Sequence, residues 1–392
     1  MFSARTSWSQ ATNRLTLALE ARRRAGLEVL DLTESNPTRA GIPYPEDLLA
    51  LLADPAGLVY RPQACGLPAA REAVARDYER RGWAVGADRL LLTASTSEAY
   101  AYLFKLLCDP GDIVLVPQPS YPLFEFLADL ESVHIDRYAL HHDGEWHLSV
   151  DALEAAIGER TRAVVLVNPG NPTGSYLKRE EAARLFDLCA CRGLAVISDE
   201  VFADYAFAPD PGRLASVAGD PPCLAFSLGG LSKSCGLPQL KLGWMAVFGP
   251  PPIRAEAQAR LEVIADTFLS VGTPVQQAAP GLLARLPELQ APIATRTRLN
   301  LGLLREALAP PAPASLLAPE GGWSAVLRVP ATEPEEERAL RLLERDGVLV
   351  HPGFFFDFPS EAYLVLSLLT EPAVFARGLS ALLRDLGAPS VL

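Results

Sequence analysis

Lys233 stands among serines and glycines directly after an apolar run, in the segment FSLGGLSKSCGLPQLKLGW (226–244). A primary amine in a partly desolvated position has a lowered pKa, and the neutral amine can attack a carbonyl carbon to form a Schiff base. A single lysine in such a loop is as often an ordinary polar residue. Its chemical interpretation therefore depends on the residues that the fold brings to it.

Two more polar side chains follow apolar runs earlier in the chain. Asp199 ends the run in LAVISDEVF, and Asn171 lies in VNPGNPTG, after the preceding run. Each could be a turn residue. However, open α/β sheets bind ligands at the carboxyl ends of their strands, and Asn171, Asp199 and Lys233 follow three successive predicted strands. An amine, an anion for a pyridine nitrogen and a donor to a phenolic oxygen together predict pyridoxal 5′-phosphate, with Lys233 as its Schiff-base lysine.

A phosphate site is predicted where LLLT gives way to a helical pattern, in TASTSEAY (93–100). Ser95, Thr96 and Ser97 offer hydroxyls and backbone N–H groups together, and the N-terminus of a helix favours anions. The same residues are also good N-caps, and the two interpretations are compatible.

Alternation of apolar runs with helical patterns predicts an α/β fold: a large domain with a mostly parallel sheet between helices, plus a smaller α+β domain. Predicted strands are 112–116, 134–139, 163–167, 194–198, 223–227, 242–248, 323–329, 348–351 and 362–368. Predicted helices are 68–81, 97–108, 179–192, 252–269, 299–308, 333–346 and 373–386. The predicted division is an N-terminal segment 1–50 that joins the small domain, a large domain 51–280 and a small domain 281–392.

The composition of the chain disfavours several classes of binding partner. The net charge of −12 over 392 residues disfavours nucleic acid and anionic membranes, which repel acidic surfaces. No apolar run is long enough for a signal peptide or a membrane span. The six cysteines include no C-x-x-C pair, and no histidine stands at metal-ligand spacing from them, so we expect core cysteines in a reducing cytoplasm and no metal site.

The chain resembles the class I and II aminotransferases of pyridoxal-phosphate fold type I over nearly its whole length. The matching segments are Tyr60 followed by GLPAAREAVARDY, then LLTASTSEAY, CDPGDIVLVPQPSYP, VVLVNPGNPTG, ISDEVFADY and LSKSCGLPQLKLGW. The resemblance implies a seven-stranded sheet in the large domain. It also implies a cofactor-binding set of Lys233, Asp199, Asn171, Ser95, Thr96, Ser97, Gly230, Lys241, Tyr121 and Tyr60. Within this set Tyr121 would stack on the ring, and Tyr60 would reach the phosphate from the other subunit of a homodimer.

Three positions depart from the family pattern around the cofactor. Phe202 stands where a tyrosine commonly donates to the phenolic oxygen, which should leave Asn171 as the main donor and raise the pKa of the Schiff base. Gly230 replaces a phosphate-binding serine but keeps its N–H. Lys241 replaces an arginine, so the charge remains while the bidentate fork is lost.

A fourth departure concerns the substrate, because Val365 occupies the place of the arginine that holds the α-carboxylate in the family. Either another arginine replaces it or the anchoring group of the substrate is not the usual carboxylate. Asn36 and Arg39 in ESNPTRAG, and Arg61 beside Tyr60, are the candidates for substrate contacts.

The resemblance implies an aminotransferase that exchanges an amino group between an amine donor and a 2-oxo acid. Loss of the family's tyrosine and arginine, at Phe202 and Val365, leaves a lyase, decarboxylase or oxidase on the same fold as the alternative. A DNA-binding regulator is disfavoured by the acidic charge and by a first segment of about 50 residues that matches the family's own.

Overall fold

A computed structural model of the chain describes residues 1–387. Its strands are β1 (Leu30–Asp31), β2 (Leu90–Thr93), β3 (Ile113–Gln118), β4 (His134–His142), β5 (Trp146–Leu148), β6 (Thr161–Val167), β7 (Ala195–Asp199), β8 (Ala225–Gly230), β9 (Gly243–Phe248), β10 (Ser315–Leu317), β11 (Ser324–Arg328), β12 (Val348–Leu349), β13 (His351–Pro352) and β14 (Tyr363–Ser367). Its α-helices are α1 (Arg14–Arg24), α2 (Pro68–Arg80), α3 (Thr96–Leu107), α4 (Phe124–Leu130), α5 (Val150–Ala156), α6 (Arg179–Arg192), α7 (Leu231–Ser234), α8 (Pro251–Phe268), α9 (Thr273–Ala284), α10 (Leu286–Ala307), α11 (Glu335–Arg341) and α12 (Pro372–Asp385).

The large sheet has the strand order β2-β9-β8-β7-β6-β3-β4-β5. Strands β8, β7, β6, β3 and β4 are mutually parallel, whereas β9 runs antiparallel to both of its neighbours and β5 antiparallel to β4. The carboxyl ends of β6, β7 and β8 therefore meet at one edge of the sheet. This edge is where a doubly covered α/β sheet binds its ligands.

Residues of the central strands alternate between two hydrophobic clusters. Val164 and Val196 belong to the cluster that includes residues of α2, α6 and α9, while Val165 and Ile197 belong to the one that includes residues of α3 and α8. Because both faces are covered, these strands are almost wholly apolar. The exceptions are polar side chains at the strand ends and the buried Ser227 within β8.

A second sheet, of order β10-β11-β14-β13, forms the C-terminal part of the chain. Leu364 and Leu366 of β14 face a core shared with α10 and α12, and Val365 points the other way, into a separate small cluster. The N-terminal segment joins this part through β1, which pairs in parallel with β12. The division at residues 50 and 280 stays a prediction, and residues 388–392 of the predicted small domain lie outside the described residues.

The fold class is confirmed, with two corrections of detail. The large sheet has eight strands where seven were predicted, because the chain turns at Gly144 and returns as the short strand β5. Helix α9 was not predicted, and the predicted helix 299–308 is only the end of α10. Both helices contain an internal proline, Pro280 and Pro292, which normally argues against a helix because it removes an N–H.

Two further properties bear on the sequence predictions. Within residues 1–387, no helix combines the length and apolar character that a membrane crossing requires. On α6, Cys189 is buried and Cys191 is exposed, so the two thiols lie on different faces of the helix as predicted.

Candidate active site

One cleft at the carboxyl edge of the large sheet collects most of the predicted cofactor-binding residues. It encloses about 1600 Å³ including its open mouth. The predicted residues that line it are Lys233, Asp199, Asn171, Ser95, Thr96, Ser97, Tyr121, Gly230 and Lys241. We call this space the central cleft.

Lys233 lies in the one-turn helix α7, directly after β8. The Tyr205 hydroxyl fixes the lysine backbone by donating hydrogen bonds to the carbonyls of Lys233, at 2.8 Å, and Ser234, at 3.2 Å. Its Nζ atom lies 5.2 Å from the ring centre of Trp323 and 5.5 Å from that of Phe202. Burial lowers the pKa of Lys233, and the charge of Asp199 opposes that shift. The amine is thereby biased towards its neutral, nucleophilic form.

Asp199 presents a carboxylate at the end of β7. Its Oδ2 accepts a 3.3 Å hydrogen bond from the Tyr100 hydroxyl, and its Oδ1 accepts one of 3.2 Å from the backbone N–H of Val201. Burial raises the pKa of Asp199 from 3.8 to about 6, although both hydrogen bonds and the charge of Lys233 lower it. Because a buried charge is costly unless it is paired, this carboxylate would be stabilised by a cation such as a protonated ring nitrogen.

The N-terminus of α3 opens onto the central cleft. Ser95 caps it by accepting a 3.2 Å hydrogen bond from the N–H of Glu98, and the Glu98 carboxylate accepts one of 2.7 Å from the N–H of Ala94. A Cβ atom on Gly243 would lie 3.1 Å from the Ser95 carbonyl carbon, so β9 starts in close contact with this loop. The helix N-terminus and the nearby charge of Lys241 form a pocket suited to a phosphate.

A buried polar network supports this edge of the sheet from below. The Glu200 carboxylate accepts hydrogen bonds from the hydroxyls of Ser216 at 2.6 Å, Ser227 at 2.7 Å and Ser198 at 3.0 Å, and from the N–H of Val217 at 2.8 Å. Burial raises the pKa of Glu200, and these hydrogen bonds oppose the shift. The network joins Ser198 of β7 and Ser227 of β8 through Glu200, the residue that follows Asp199 in the chain.

The wall opposite the sheet edge is largely apolar. Val365 is 3% exposed and lines the cleft. Directly across the sheet from it is His351, because β13 and β14 pair in antiparallel register. Trp323, Phe202 and Phe356 line the same space. No arginine of residues 1–387 belongs to the lining that the single chain provides.

The predicted substrate residues of the N-terminal segment lie elsewhere in the single chain. The Arg39 side chain is 70% exposed and lies 3.6 Å from the Glu34 carboxylate. The Asn36 side chain accepts hydrogen bonds from Thr38. Neither lines the central cleft, although their neighbours in the segment do.

Tyr60 and Arg61 also lie outside the central cleft. Tyr60 is 72% exposed, and both residues border a separate depression beside Ser270. Their predicted roles would require the approach of a second chain.

Three residues of the site were missed by the sequence analysis. Tyr100 stands in the segment that predicted the phosphate site, yet nothing in the sequence links its hydroxyl to Asp199, which is 99 residues away. Trp323 and His351 lay within or beside predicted strands. Position in a strand does not reveal which face meets the cleft unless the register is known.

A sequence profile of the family "Aminotransferase class I and II" matches residues 40–374. The chain belongs to this family. The family uses pyridoxal 5′-phosphate, and the matched residues contain the whole lining of the central cleft except for parts of the N-terminal segment.

Curated aminotransferases of this family from plants and bacteria resemble the chain. Nicotianamine aminotransferase 1 of Oryza sativa subsp. japonica is 30% identical over 58% of the chain, which spans only 46% of that protein. The alanine aminotransferase of Mycobacterium tuberculosis is 29% identical over 92% of the chain and 85% of its own length. The chain thus spans less than half of the rice relative, so substrates cannot be carried over from it.

Solved aminotransferase structures share the fold. Alanine aminotransferase from Pyrococcus furiosus superimposes with a TM-score of 0.87 at 23% identity, over 98% of this chain and 99% of its own. An aminotransferase from Escherichia coli gives 0.84 at 23% identity, over 100% and 99% of the two chains.

Proposed function

We propose that the chain binds pyridoxal 5′-phosphate in the central cleft and is an aminotransferase. The donor set fits the cofactor: the amine of Lys233 for its aldehyde, the carboxylate of Asp199 for its ring nitrogen and the N-terminus of α3 for its phosphate. The joint presence of Lys233 and Asp199 in one cleft, each with a pKa shifted by burial, is the observation that carries this proposal.

The remaining residues of the lining have complementary roles in this proposal. Asn171 donates to the phenolic oxygen, and Tyr121 stacks on the ring. Ser95, Thr96 and Ser97, with the N–H of Gly230 and the charge of Lys241, hold the phosphate. The close approach of Gly243 to Ser95 leaves little room for a larger residue at this position beside the phosphate-binding loop.

When bound, the cofactor supplies an aldehyde for an incoming amine and an electron-withdrawing ring that stabilises negative charge on the α-carbon. Asp199 would pair with the ring nitrogen and so favour its protonated form, because a buried carboxylate is stabilised by a cationic partner. Lys233 would act as the general base that removes a proton from the α-carbon of the substrate and as the general acid that returns it. Its lowered pKa supports the neutral amine that the first of these two steps needs.

The reaction that follows is transfer of an amino group from an amine donor to a 2-oxo acid. Membership of the family and the likeness to an alanine aminotransferase over 92% of the chain support this over elimination or decarboxylation. The alternative rests on Phe202 and Val365, which stand where the family has a tyrosine beside the phenolic oxygen and an arginine for the carboxylate. A half-reaction, in which an amino donor is added without an acceptor, distinguishes transamination from elimination or decarboxylation.

The test uses protein loaded with pyridoxal 5′-phosphate and a panel of single amino donors, without any oxo-acid acceptor. Transamination predicts pyridoxamine phosphate and one carbonyl product per site, after which the reaction stops. The Lys233→Ala variant should give neither, whereas the exposed-surface control Lys105→Ala should match the parent protein. Continuous release of ammonia without an acceptor would assign a lyase or oxidase, and no conversion by any donor would refute the transaminase.

We further propose a homodimer whose sites lie at the subunit interface. The exposure of Tyr60, together with its place in a depression outside the central cleft, supports a role across an interface. Light scattering gives the oligomeric state. Tyr60→Phe should then weaken cofactor affinity in the dimer, and a monomer with full affinity would contradict the proposal.

A cytoplasmic location is the remaining proposal. The cysteines within residues 1–387 are unpaired, as expected of a reducing compartment. Fractionation of cells that express the tagged chain would test it, and recovery from an oxidising compartment would contradict it.

A further inference from the structure

Tyr205 contacts the segment that carries Lys233 from outside the central cleft. It is 2% exposed and ends the short helical turn Ala203–Tyr205, which follows β7. Its neighbours Phe202 and Trp323 belong to the lining of the cleft, whereas Tyr205 lies behind them in the same hydrophobic cluster. The proposed function gives this tyrosine no role, although its hydroxyl is directed at the backbone of the lysine.

Helix α7 has a single turn, so its end depends on donors from outside the helix. The last carbonyls of a helix have no intrahelical partner. The Tyr205 hydroxyl lies 2.8 Å from the carbonyl oxygen of Lys233 and 3.2 Å from that of Ser234. The N–H of Gly236 also donates to the Lys233 carbonyl, at 3.2 Å. One hydroxyl proton is thus shared between the two carbonyls that end the helix, and such bifurcated bonds are common at helix termini.

The ring of Tyr205 also reaches the surroundings of the amine. It packs edge-on against Trp323, with the ring centres 5.2 Å apart, and the Trp323 ring centre lies 5.2 Å from Nζ of Lys233. The N–H of Gly322 donates a 3.1 Å hydrogen bond to the Tyr205 carbonyl, so the loop that carries Trp323 is joined to the same residue. Tyr205 therefore contacts both the backbone of the lysine and an aromatic ring beside its amine.

An ionic contact fixes the loop that carries Trp323. The Glu320 side chain is 10% exposed and pairs with Lys178 Nζ at 2.7 Å and with Arg213 Nε at 2.5 Å. It also accepts a 2.8 Å hydrogen bond from the N–H of Tyr176. Two cationic partners and a backbone donor offset the cost of burying this carboxylate. The loop is therefore a fixed partner for the ring of Tyr205.

We propose that Tyr205 is a positioning residue, which holds the amine of Lys233 where it meets the aldehyde of the cofactor. This inference rests on the proposed function and adds a residue to it. The four-carbon stem of a lysine is flexible, so the place of its amine depends on how its backbone and its neighbours are fixed. Attack on a carbonyl carbon requires the reacting atoms to be held at near-contact distance in the right orientation.

The experiment compares two ligands of the cleft in Tyr205→Phe, which keeps the ring against Trp323 and loses only the hydroxyl. Pyridoxal 5′-phosphate forms a Schiff base with Lys233. Pyridoxamine 5′-phosphate has the same ring and phosphate but an amine in place of the aldehyde, so it forms none. Titration of the cofactor-free protein gives both affinities. We expect their ratio to shift against pyridoxal 5′-phosphate by roughly two- to twelvefold, the effect of one hydrogen bond.

A purely structural hydroxyl would give a different result. Its loss would leave both affinities unchanged or lower them equally, because the two ligands share the ring and phosphate contacts. An unchanged ratio in Tyr205→Phe would therefore overturn the proposal. Binding of pyridoxamine 5′-phosphate also reports that the variant is folded. Tyr138→Phe is the matched control, since it too loses a buried hydrogen bond to a backbone carbonyl, and it should keep the parental ratio.

Stopped-flow absorbance gives a second measurement. After mixing with pyridoxal 5′-phosphate, the Schiff base should appear more slowly in Tyr205→Phe than in the parent protein, and at the parental rate in Tyr138→Phe. A parental rate in Tyr205→Phe would contradict the positioning of the amine by this hydroxyl.

The two proposals fail in different ways. A parent protein that binds pyridoxal 5′-phosphate no more tightly than Lys233→Ala contradicts the proposed function, whatever Tyr205 does. A parent protein that forms the Schiff base and transaminates, while Tyr205→Phe keeps the parental ratio of affinities, contradicts only the role of Tyr205.

Discussion

The hydroxyl of Tyr100, on α3, donates a 3.3 Å hydrogen bond to the carboxylate of Asp199, at the end of β7. The helix whose N-terminus forms the phosphate pocket is thereby joined to the anion proposed for the ring nitrogen. Both ends of the cofactor would be held by parts of one rigid unit. The geometry of the two contacts is then set by the packing of α3 on the sheet.

Removal of this hydroxyl should weaken cofactor binding. In Tyr100→Phe the hydrogen bond that lowers the pKa of Asp199 is lost, so the carboxylate ionises less readily and pairs less well with a protonated ring. A lost hydrogen bond of about 0.5–1.5 kcal/mol predicts a rise in Kd of roughly two- to twelvefold. A titration with pyridoxal 5′-phosphate measures it. Tyr138→Phe, which loses a buried hydrogen bond to the Val165 carbonyl instead, is the control and should leave the Kd unchanged.

The stability of the cofactor-free protein should depend on Asp199 and pH. Its folded pKa, about 6, lies above the usual 3.8, so between these values the folded state binds more protons than the unfolded state. Stability from this group is therefore highest below about pH 4 and is lost as the pH rises towards 6 and beyond.

Asp199→Asn should remove the loss of stability that ionisation of this buried carboxylate causes at neutral pH. At neutral pH we expect the cofactor-free variant to be more stable than the parent by roughly 1–3 kcal/mol, while its affinity for pyridoxal 5′-phosphate falls. Denaturant unfolding at two pH values measures the first effect and a cofactor titration the second. Asp151→Asn, at a side chain that is 82% exposed, should change neither. A variant that is less stable than the parent at both pH values would contradict the account.

Lys241 should contribute to cofactor affinity through its charge. It lies at the mouth of the phosphate pocket and has a φ of 50°, so substitutions by other non-glycine residues leave the backbone strain alike. Lys241→Gln should raise the Kd by roughly ten- to a hundredfold, because a charged hydrogen bond contributes about 1.5–3 kcal/mol. Lys241→Arg should bind at least as tightly as the parent. An unchanged Kd in Lys241→Gln would show that α3 holds the phosphate unaided.

Phe202 should set the pH at which the absorbance of the lysine-bound cofactor changes. It is 7% exposed and packs 5.2 Å from the ring of Trp323. A hydroxyl in Phe202→Tyr would donate to the phenolic oxygen and stabilise its negative charge, which lowers the observed pKa by about one unit for a hydrogen bond of about 1.4 kcal/mol. A spectrophotometric pH titration measures the shift. A shift to higher pH would contradict the placement of this ring beside the phenolic oxygen.

Much of the site could be predicted because it depends on strand order in a parallel sheet. Asn171, Asp199 and Lys233 follow consecutive strands, and parallel strands bring their carboxyl ends to one edge whatever the exact register. The phosphate pocket could likewise be predicted from one short segment, since Ser95 both caps a helix and lines the cleft. These inferences needed only element type and order.

The apolar wall could not be predicted in this way. Whether His351 faces the cleft depends on its pairing with Val365, which is formed between β13 and β14 and is invisible in either segment alone. The sequence prediction missed the helices with internal prolines for a related reason. Tertiary packing holds Pro292 within α10, where Ile293 is buried, despite the lost N–H.

Reductive trapping tests the central claim, that Lys233 carries the cofactor, most directly. The protein is loaded with pyridoxal 5′-phosphate, reduced with borohydride, digested and analysed by mass spectrometry. The account predicts one pyridoxyl phosphate adduct per chain, on the peptide that contains Lys233, and none there in Lys233→Ala. An adduct confined to Lys105, Lys178 or Lys241, or full loading of Lys233→Ala through another lysine, would contradict it.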